Sequence, residues 1–382
     1  MVTTPEQSPV VSPSSPLRTS AHSTYAIRKR SRSREKILYA ALGLLLLMII
    51  VVGGIVGRLL VGQQNTVIGN AFFQDDAFGN ADILHIEMQA ISQLPSGQVY
   101  RAWLQTNQHQ TIYLGALSPT SNGATLVYPG DAQHTYLLAI AQSILVTQES
   151  STSNTTTPSG NSVYQASFDT QSLPYIRNIL YQTPNFPETG GVAAGLFETL
   201  KGMDDKAGSI VDSIQGTHDL GMAKRQAIRI IELIDGTQYA MDSGDLPKGT
   251  PSNVDARVGL ISSSTQPGYI DTLSTQLDKL QATVSNNPSQ LQHIQNVRNA
   301  LNDLRTWIQE ARTYDVQLVK GQDLSNPAML DAALHVQQLI ADSYRGRTIP
   351  PNVSPLPIAG SAGAYQAYIE CEYLATLDIR HV

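Results

Sequence analysis

The sequence predicts a membrane-anchored α+β protein with one transmembrane helix, an antiparallel β-sandwich domain and an α-helical bundle domain. Three observations support this fold class. An uncharged apolar stretch covers residues 37–57, short runs of alternating apolar and polar residues cover 65–170, and apolar stripes at helical spacing cover 190–345. A chain of 382 residues is long enough for two hydrophobic cores with linkers between them.

Residues 1–36 predict a disordered, basic cytoplasmic tail. They are rich in Pro and Ser and hold few apolar side chains, so they cannot bury enough surface to offset the entropy lost on ordering. The basic residues near the end of this segment are predicted to orient the chain in the membrane and to contact anionic lipid headgroups; they are Arg28, Lys29, Arg30, Arg32, Arg34 and Lys36.

Residues 37–57 predict the transmembrane helix, because this stretch has the length needed to cross a hydrocarbon core of about 30 Å. Basic residues stay on the cytoplasmic side, which predicts a single-pass plasma-membrane protein with its C-terminus outside. A cleaved signal peptide is the alternative, although its apolar stretch is normally shorter and ends in a small-residue cleavage site. Gly53 and Gly57 form a GxxxG pair, a candidate site for helix packing.

The region 65–170 predicts the β-sandwich. In ADILHIEMQA, Leu84, Ile86 and Met88 alternate with polar residues, as expected of a half-buried strand. Further strand-like runs are QVYRAWLQT, QTIYLGAL, GATLVYPG, QSILVTQE and SVYQASF, and turn residues separate them. Trp103 lies in the first of these runs and is predicted to belong to the core.

The region 190–345 predicts the helical bundle. One apolar stripe contains Leu196, Leu200, Met203, Ala207, Ile210 and Ile214. A second contains Ile294, Val297, Leu301, Leu304, Ile308 and Ala311. Several amphipathic helices with short connections are typical of a bundle. A proline-rich linker over 346–361 and a C-terminal helix over 362–382 follow.

Composition excludes several kinds of function. The net charge of −6, with no basic surface recurring along the bulk of the chain, argues against a nucleic-acid partner. The single cysteine, Cys371, excludes an internal disulfide and a cysteine-based zinc site within one chain. Cys371 stands between Glu370 and Glu372, whose charges disfavour the thiolate, so it is predicted to be unreactive.

No catalytic, cofactor-binding or metal-binding residues are predicted, and the protein is not expected to be an enzyme. The sequence has no G-x-S-x-G motif on a strand–turn–helix and no glycine-rich phosphate-binding loop. Its histidines show neither the HExxH pattern nor i,i+4 spacing, which zinc sites on one helix face require.

Three motifs of the strand region occur together in one family. They are GNADILHIEMQAISQLPSGQVYRAWLQ with its Tyr-x-x-Trp-Leu strand, then YLGALSP, and then SILVTQE. By these motifs the segment resembles the extracytoplasmic C-terminal domain of anti-sigma-K (RskA-like) factors. Such factors usually carry a folded cytoplasmic domain that grips a sigma factor, and residues 1–36 contain no recognisable counterpart of it.

The resemblance implies a membrane-anchored regulatory or sensory protein whose extracytoplasmic domains bind a ligand or partner. The alternative is a structural or adhesion protein of the cell envelope with no sigma-factor role. The expected partners are the lipid bilayer and either a sigma factor or an envelope protein. The sequence leaves the oligomeric state and the ligand open.

Overall fold

The computed structural model of the chain describes residues 66–75, 81–188 and 190–382, all within one compact unit, Gly62–Val382. The predicted tail over 1–36 and the predicted span over 37–57 lie outside the described residues. The same is true of the residues assigned to membrane orientation and helix packing, which are Arg28, Lys29, Arg30, Arg32, Arg34, Lys36, Gly53 and Gly57.

Over the described residues, no helix combines the length and the apolar character that a membrane crossing requires. The longest, Pro288–Lys320, has 33 residues but carries many polar and charged side chains, so it is amphipathic rather than apolar on every face. This finding contradicts the predicted membrane-anchored fold class and the predicted single-pass plasma-membrane localisation.

The strand region forms one nine-stranded sheet in which all the pairings are antiparallel. Its strands are β1 Gly69–Gln74, β2 Ile83–Gln89, β3 Gln98–Thr106, β4 Thr111–Ala116, β5 Ser118–Pro119, β6 Gly123–Tyr128, β7 Ala141–Ser150, β8 Asn161–Ser167 and β9 Leu377–His381. Their order across the sheet is β4-β3-β7-β8-β9-β1-β2-β6-β5.

The predicted sandwich of separate sheets is wrong, because β9 pairs with β8 on one side and with β1 on the other and so makes the sheet continuous. The sheet also curls until β4 contacts β6. Gly115 of β4 permits this approach: it has a φ of +140°, and a Cβ on it would lie 2.9 Å from Leu126 Cδ1 of β6. The curvature therefore depends on a residue without a side chain.

The alternating pattern of the strands gives the sheet a buried face, as the sequence predicts. Leu84, Ile86 and Met88 of β2 are at most 2% exposed. Trp103 of β3 is completely buried, as predicted, and it stacks near Tyr113 of β4 at 4.9 Å between ring centroids. A register irregularity between Ala102 and Trp103 interrupts the pairing of β3 with β4.

Helices occupy most of the chain between β8 and β9. A short α1, Leu137–Ile140, precedes β7. The others are α2 Leu173–Leu180, α3 Val192–Gln215, α4 Leu220–Asp235, α5 Thr237–Asp242, α6 Tyr269–Thr283, α7 Pro288–Lys320, α8 Pro327–Arg345 and α9 Ala364–Tyr373. Both apolar stripes predicted from the sequence, on α3 and α7, are buried.

Side-chain caps fix the starts of three helices. Asp219 accepts a hydrogen bond from the Met222 N–H at α4, Asn287 from the Gln290 N–H at α7, and Asn326 from the Ala328 N–H at α8. Proline at the first position of α7 and α8 removes an N–H that would have no intrahelical partner.

The predicted C-terminal helix is correct only for Ala364–Tyr373. The next residues turn, and Leu377–His381 becomes β9, with Leu377 and Ile379 buried. Its alternation of apolar and polar residues is too short to separate from a helix end in the sequence. The chain therefore leaves the sheet after β8, forms the helices and returns through α9 to complete the sheet.

Candidate functional site

A groove of about 730 Å³ runs between α3 and α8. From α3 it is lined by Asp204, Asp205, Ser209 and Asp212. From α8 it is lined by Leu334, His335 and Arg345, among others. Its volume lies within the range of about 300–1,000 Å³ that is usual for ligand sites.

The sequence of α3 explains why this surface is open and polar. Its apolar stripe, which includes Met203 and Ala207, packs into the core, so Asp205 and Asp212 lie on the opposite, solvent-facing side, while Asp204 is largely covered at its edge. Gly208 lies between them, and a Cβ added there would meet only Gln337 Nε2, at 3.7 Å. The middle of the groove therefore contains no side chain from α3.

The groove carries more negative than positive charge. Asp204 forms an ion pair with Arg345, which neutralises both. Asp205 and Asp212 are exposed and form no ion pair within the described part of the chain. Leu334 is 41% exposed between these polar groups. The surface thus combines an exposed apolar residue with two carboxylates that form no ion pair among the described residues.

His335 forms the end of the groove and is held in place from two sides. Its ring stacks on Tyr314 of α7 with 4.7 Å between centroids, and its Nδ1 lies 3.6 Å from Asp331 Oδ2. The stacking and the contacts with Asp331 together restrict the position of the imidazole ring.

A second cluster joins α7 to α9. His293 Nδ1 lies 2.7 Å from Glu370 Oε2, and Asn296 Nδ2 donates to the same oxygen at 3.0 Å. On the other side of the ring, Ser289 Oγ lies 3.5 Å from His293 Nε2. The ring of Tyr373 is 5.0 Å from that of His293.

The contacts of His293 with Ser289 and Glu370 have the arrangement of a Ser–His–acid triad. Such a triad catalyses acyl transfer when it lies beside a substrate site. The Ser–His distance is at the limit of a hydrogen bond, and none of the three lines the α3–α8 groove. Glu370 is nearly buried and receives hydrogen bonds from two side chains of α7. We therefore interpret this cluster as a structural contact that holds α9 against α7.

A third cluster lies on the other side of α9. Glu372 borders a small cavity of about 10 Å³ together with Asp75, Tyr136 and Tyr368. Tyr368 Oη donates a hydrogen bond to Asp75 Oδ2, and Tyr136 Oη donates to the Leu180 carbonyl at 2.6 Å. Burial, and then the negative charge of Asp75, raises the pKa of the Glu372 carboxyl well above its usual range.

The surroundings of Cys371 support the prediction that its thiol is unreactive. The side chain is completely buried, and burial together with the charges of Glu370 and Glu372 raises the pKa of its thiol. No group of three or more His, Cys, Asp or Glu side chains in the described residues is arranged to hold a metal ion. The absence of enzymatic activity and of a cofactor remains a prediction.

The clusters on α9 were missed by the sequence analysis, although the segment YIECEY contains a signal for them. Glu370 and Glu372 are two residues apart and therefore point to roughly opposite sides of a helix. Two acids on opposite sides of a helix, around a buried cysteine, must each meet another element. Which groups they meet depends on residues more than 70 positions away.

No protein-family model matches the chain, and neither a curated protein nor a solved structure is significantly similar to it. The comparisons therefore add nothing to the resemblance to anti-sigma-K factors, which rests on the motifs of the strand region alone.

Proposed function

We propose that the described part of the chain is the partner-binding module of a regulatory protein, and that the α3–α8 groove binds a positively charged segment of that partner. The observation that carries this proposal is an exposed apolar residue, Leu334, beside two carboxylates, Asp205 and Asp212, that form no ion pair in the described part of the chain. The resemblance to the sensory domain of anti-sigma-K factors supports the regulatory class.

The chemistry of the groove favours a basic amphipathic segment. Its Lys or Arg side chains would meet Asp205 and Asp212, while an apolar residue would cover Leu334. Exposed charge pairs contribute about 0.2–1 kcal/mol each, so the two carboxylates together provide modest affinity and strong dependence on salt.

Binding is tested by titrating the full-length chain with a fluorescent Lys/Leu helical peptide and with a matched Glu/Leu peptide. The Lys/Leu peptide is expected to bind, and the double variant Asp205→Asn/Asp212→Asn should weaken binding by about fivefold. The variant Asp255→Asn/Glu310→Gln removes two exposed charges that do not line the groove and should bind as the wild type does. Equal weakening by both double variants would show that only net charge matters and would refute the groove.

The regulatory class is tested separately, by replacing the gene with the groove double variant and measuring the transcripts of the cell. A change confined to the genes that one sigma factor transcribes would support the proposal. Unchanged transcripts, together with a defect in cell shape or attachment, would favour the alternative of a structural or adhesion protein.

A further inference from the structure

The two exposed carboxylates of the α3–α8 groove lie on one line along α3. Asp205 and Asp212 are seven residues apart, and Ser209, whose side chain is short, lies between them. Seven residues make almost two turns of an α-helix, so the two carboxylates leave α3 in nearly the same direction and about 10.5 Å apart along its axis. α3 therefore presents two negative charges at a fixed spacing along the groove.

The other wall of the groove, α8, runs antiparallel to α3. The ion pair between Asp204 and Arg345 joins the two helices at one end of the groove. Further along, a Cβ added to Gly208 would lie 3.7 Å from Gln337 Nε2. Residue numbers therefore rise along α3 as they fall along α8, and these two contacts fix the register between the helices.

Each end of the groove offers a partner one carboxylate from α3 and one apolar side chain from α8. By the antiparallel register, exposed Leu334 lies near the level of Asp212, and half-buried Ala341 lies near the level of Asp205. Leu334 and Ala341 are also seven residues apart, so both walls repeat at the same interval of two helical turns. A partner that fills the groove must place its own side chains at this interval.

The spacing of the carboxylates distinguishes a helical partner from an extended one. Side chains of a β-strand alternate in direction, so those on one face lie about 6.8 Å or about 13.6 Å apart. Neither distance matches the separation of Asp205 and Asp212. In an α-helix, residues seven positions apart lie on one face and span the same distance as these two aspartates. A straight helix can therefore place one cation opposite each carboxylate.

Gly208 provides the space that such a helix needs. It follows Asp205 by one residue less than a full helical turn and lies on the side of α3 that faces α8. A Cβ added at this position would meet only Gln337 Nε2, at 3.7 Å, so a side chain from a partner can occupy the same space. The groove thus accepts an apolar side chain at a level between the two carboxylates.

We propose that the segment bound by the groove is an amphipathic α-helix with basic residues seven positions apart and a large apolar residue between them. The basic side chains contact Asp205 and Asp212, and the apolar side chain lies over Gly208. The helix packs alongside α3 and α8 as an additional member of the bundle. The inference rests on the proposed function, because it specifies the conformation and the spacing of the segment that the groove binds.

The test is a fluorescence titration of the full-length chain with three synthetic peptides of equal length and charge. The first has two lysines seven positions apart and a leucine midway, on a background of Ala and Gln. The second has the same composition but lysines five positions apart, which places them on different faces of a helix. The third repeats the first with one central Ala replaced by Pro, which breaks the helix. The first peptide should bind about fivefold more tightly than either of the others.

Two glycines of α3 provide a matched pair of variants. Gly208→Leu fills the space within the groove and should weaken binding of the first peptide by about tenfold. Gly202 does not line the groove, and a Cβ added there would meet only Lys206 Nζ, at 3.7 Å, so Gly202→Leu should bind as the wild type does. Both variants replace a helical glycine by a better helix former, and thermal unfolding should show both to be folded.

The outcomes separate the helical partner from the proposed function of the groove. Equal binding of all three peptides, weakened alike by Asp205→Asn/Asp212→Asn, would support a site for basic segments and overturn the helical spacing. Equal weakening by Gly208→Leu and Gly202→Leu would also overturn it, because the peptide would then not enter the groove. If none of the three peptides binds, the proposed function fails and the helical partner fails with it.

Discussion

The sheet and the helices each contain a buried carboxyl group, and the two groups differ in their hydrogen bonds. Glu149 of β7 is 3% exposed, and Asp315 of α7 is completely buried. Glu149 accepts hydrogen bonds from the N–H groups of Ser159 and Gly160 and from the hydroxyls of Ser159 and Thr147. Neither carboxyl oxygen of Asp315 has a hydrogen-bond partner in the described residues.

The two pKa values move in opposite directions as a result. Burial by itself would raise the pKa of Glu149, but its four hydrogen bonds outweigh burial and lower the pKa to about 2. For Asp315, burial raises the pKa well above the usual range, and the nearby charge of Arg312 offsets only part of this. Hydrogen-bond donors can therefore outweigh burial and let a buried carboxyl keep its charge.

The surroundings of β7 and of α7 also differ in the backbone N–H groups that they offer to a buried acid. The loop between β7 and β8 has free backbone N–H groups, which turn toward Glu149. A residue within α7 is surrounded by N–H groups already bonded within helices. A buried acid on a helix therefore depends on side chains for its hydrogen bonds, and none of the described side chains donates one to Asp315.

The largest expected effect is that of Glu149→Gln, which replaces the charged acceptor by a neutral amide and places an NH₂ against N–H donors. We expect a loss of about 2 kcal/mol in the free energy of unfolding at pH 7, less than the full pKa shift implies because the amide oxygen of Gln can still accept some of these hydrogen bonds. Glu149 has a lowered pKa in the folded state, so its contribution is present above pH 4.5 and disappears as pH falls toward 2.

Urea unfolding of Glu149→Gln and wild type at pH 7 and at about pH 3 measures this effect. The difference between the two should shrink at the lower pH. A difference that stays constant with pH would mean that the amide disturbs packing rather than removing a charge, and the contrast with Asp315 would then lose its basis.

A gain in stability of comparable or slightly smaller size, between about 1 and 2 kcal/mol, is expected for Asp315→Leu at pH 7. An apolar side chain of similar size needs no hydrogen bonds, and replacing buried charge by apolar groups is often stabilising. The raised pKa of Asp315 costs stability above its unfolded pKa, so the advantage of the variant should decrease as pH falls toward 4.

Thermal unfolding over pH 4–8 checks this prediction, with Asp315→Asn as the control. The amide removes the ionisation but keeps the need for hydrogen bonds, so it should lose the pH dependence and gain less stability than Leu. Destabilisation by Leu at every pH would reveal a partner that Asp315 requires.

The smallest expected effect is that of Thr147→Val, about 1 kcal/mol. The Thr147 hydroxyl accepts a hydrogen bond from Trp103 Nε1 at 2.8 Å and donates one to Glu149 Oε1 at 2.9 Å. Valine keeps the shape but leaves the buried indole N–H unpaired, which usually costs about 1–3 kcal/mol, partly offset by the apolar methyl group. A double-mutant cycle with Glu149→Gln measures the coupling, and strictly additive losses would show that the three groups do not act as one chain.

Several structural features could be predicted from the sequence alone. The strand alternation in β2 and the stripes of α3 and α7 identified the buried side chains, because periods of 2.0 and 3.6 residues are properties of the local backbone. The burial of Trp103 and the inertness of Cys371 were predicted for similar reasons. These features need no knowledge of what packs on the other side.

Other features depended on residues distant in the sequence. β1 and β9 are short, and the sequence of β9 resembles the end of a helix. The sequence therefore provided no indication that these strands join the two predicted sheets into one. The groove was missed because the aspartates of α3 and Leu334 of α8 lie more than 120 residues apart and come together only when the helices pack.

The sequence by itself determined the longer strands and helices and the faces they bury, since apolar periodicity fixes which side of each element leaves water. Only the tertiary structure decided which acids are compensated. Glu149, Asp315 and Glu370 are all acids at buried positions, and nothing in the residues beside them distinguishes the three. They differ because the loop after β7 supplies hydrogen-bond donors to Glu149 and α7 supplies them to Glu370, while no donor among the described residues reaches Asp315.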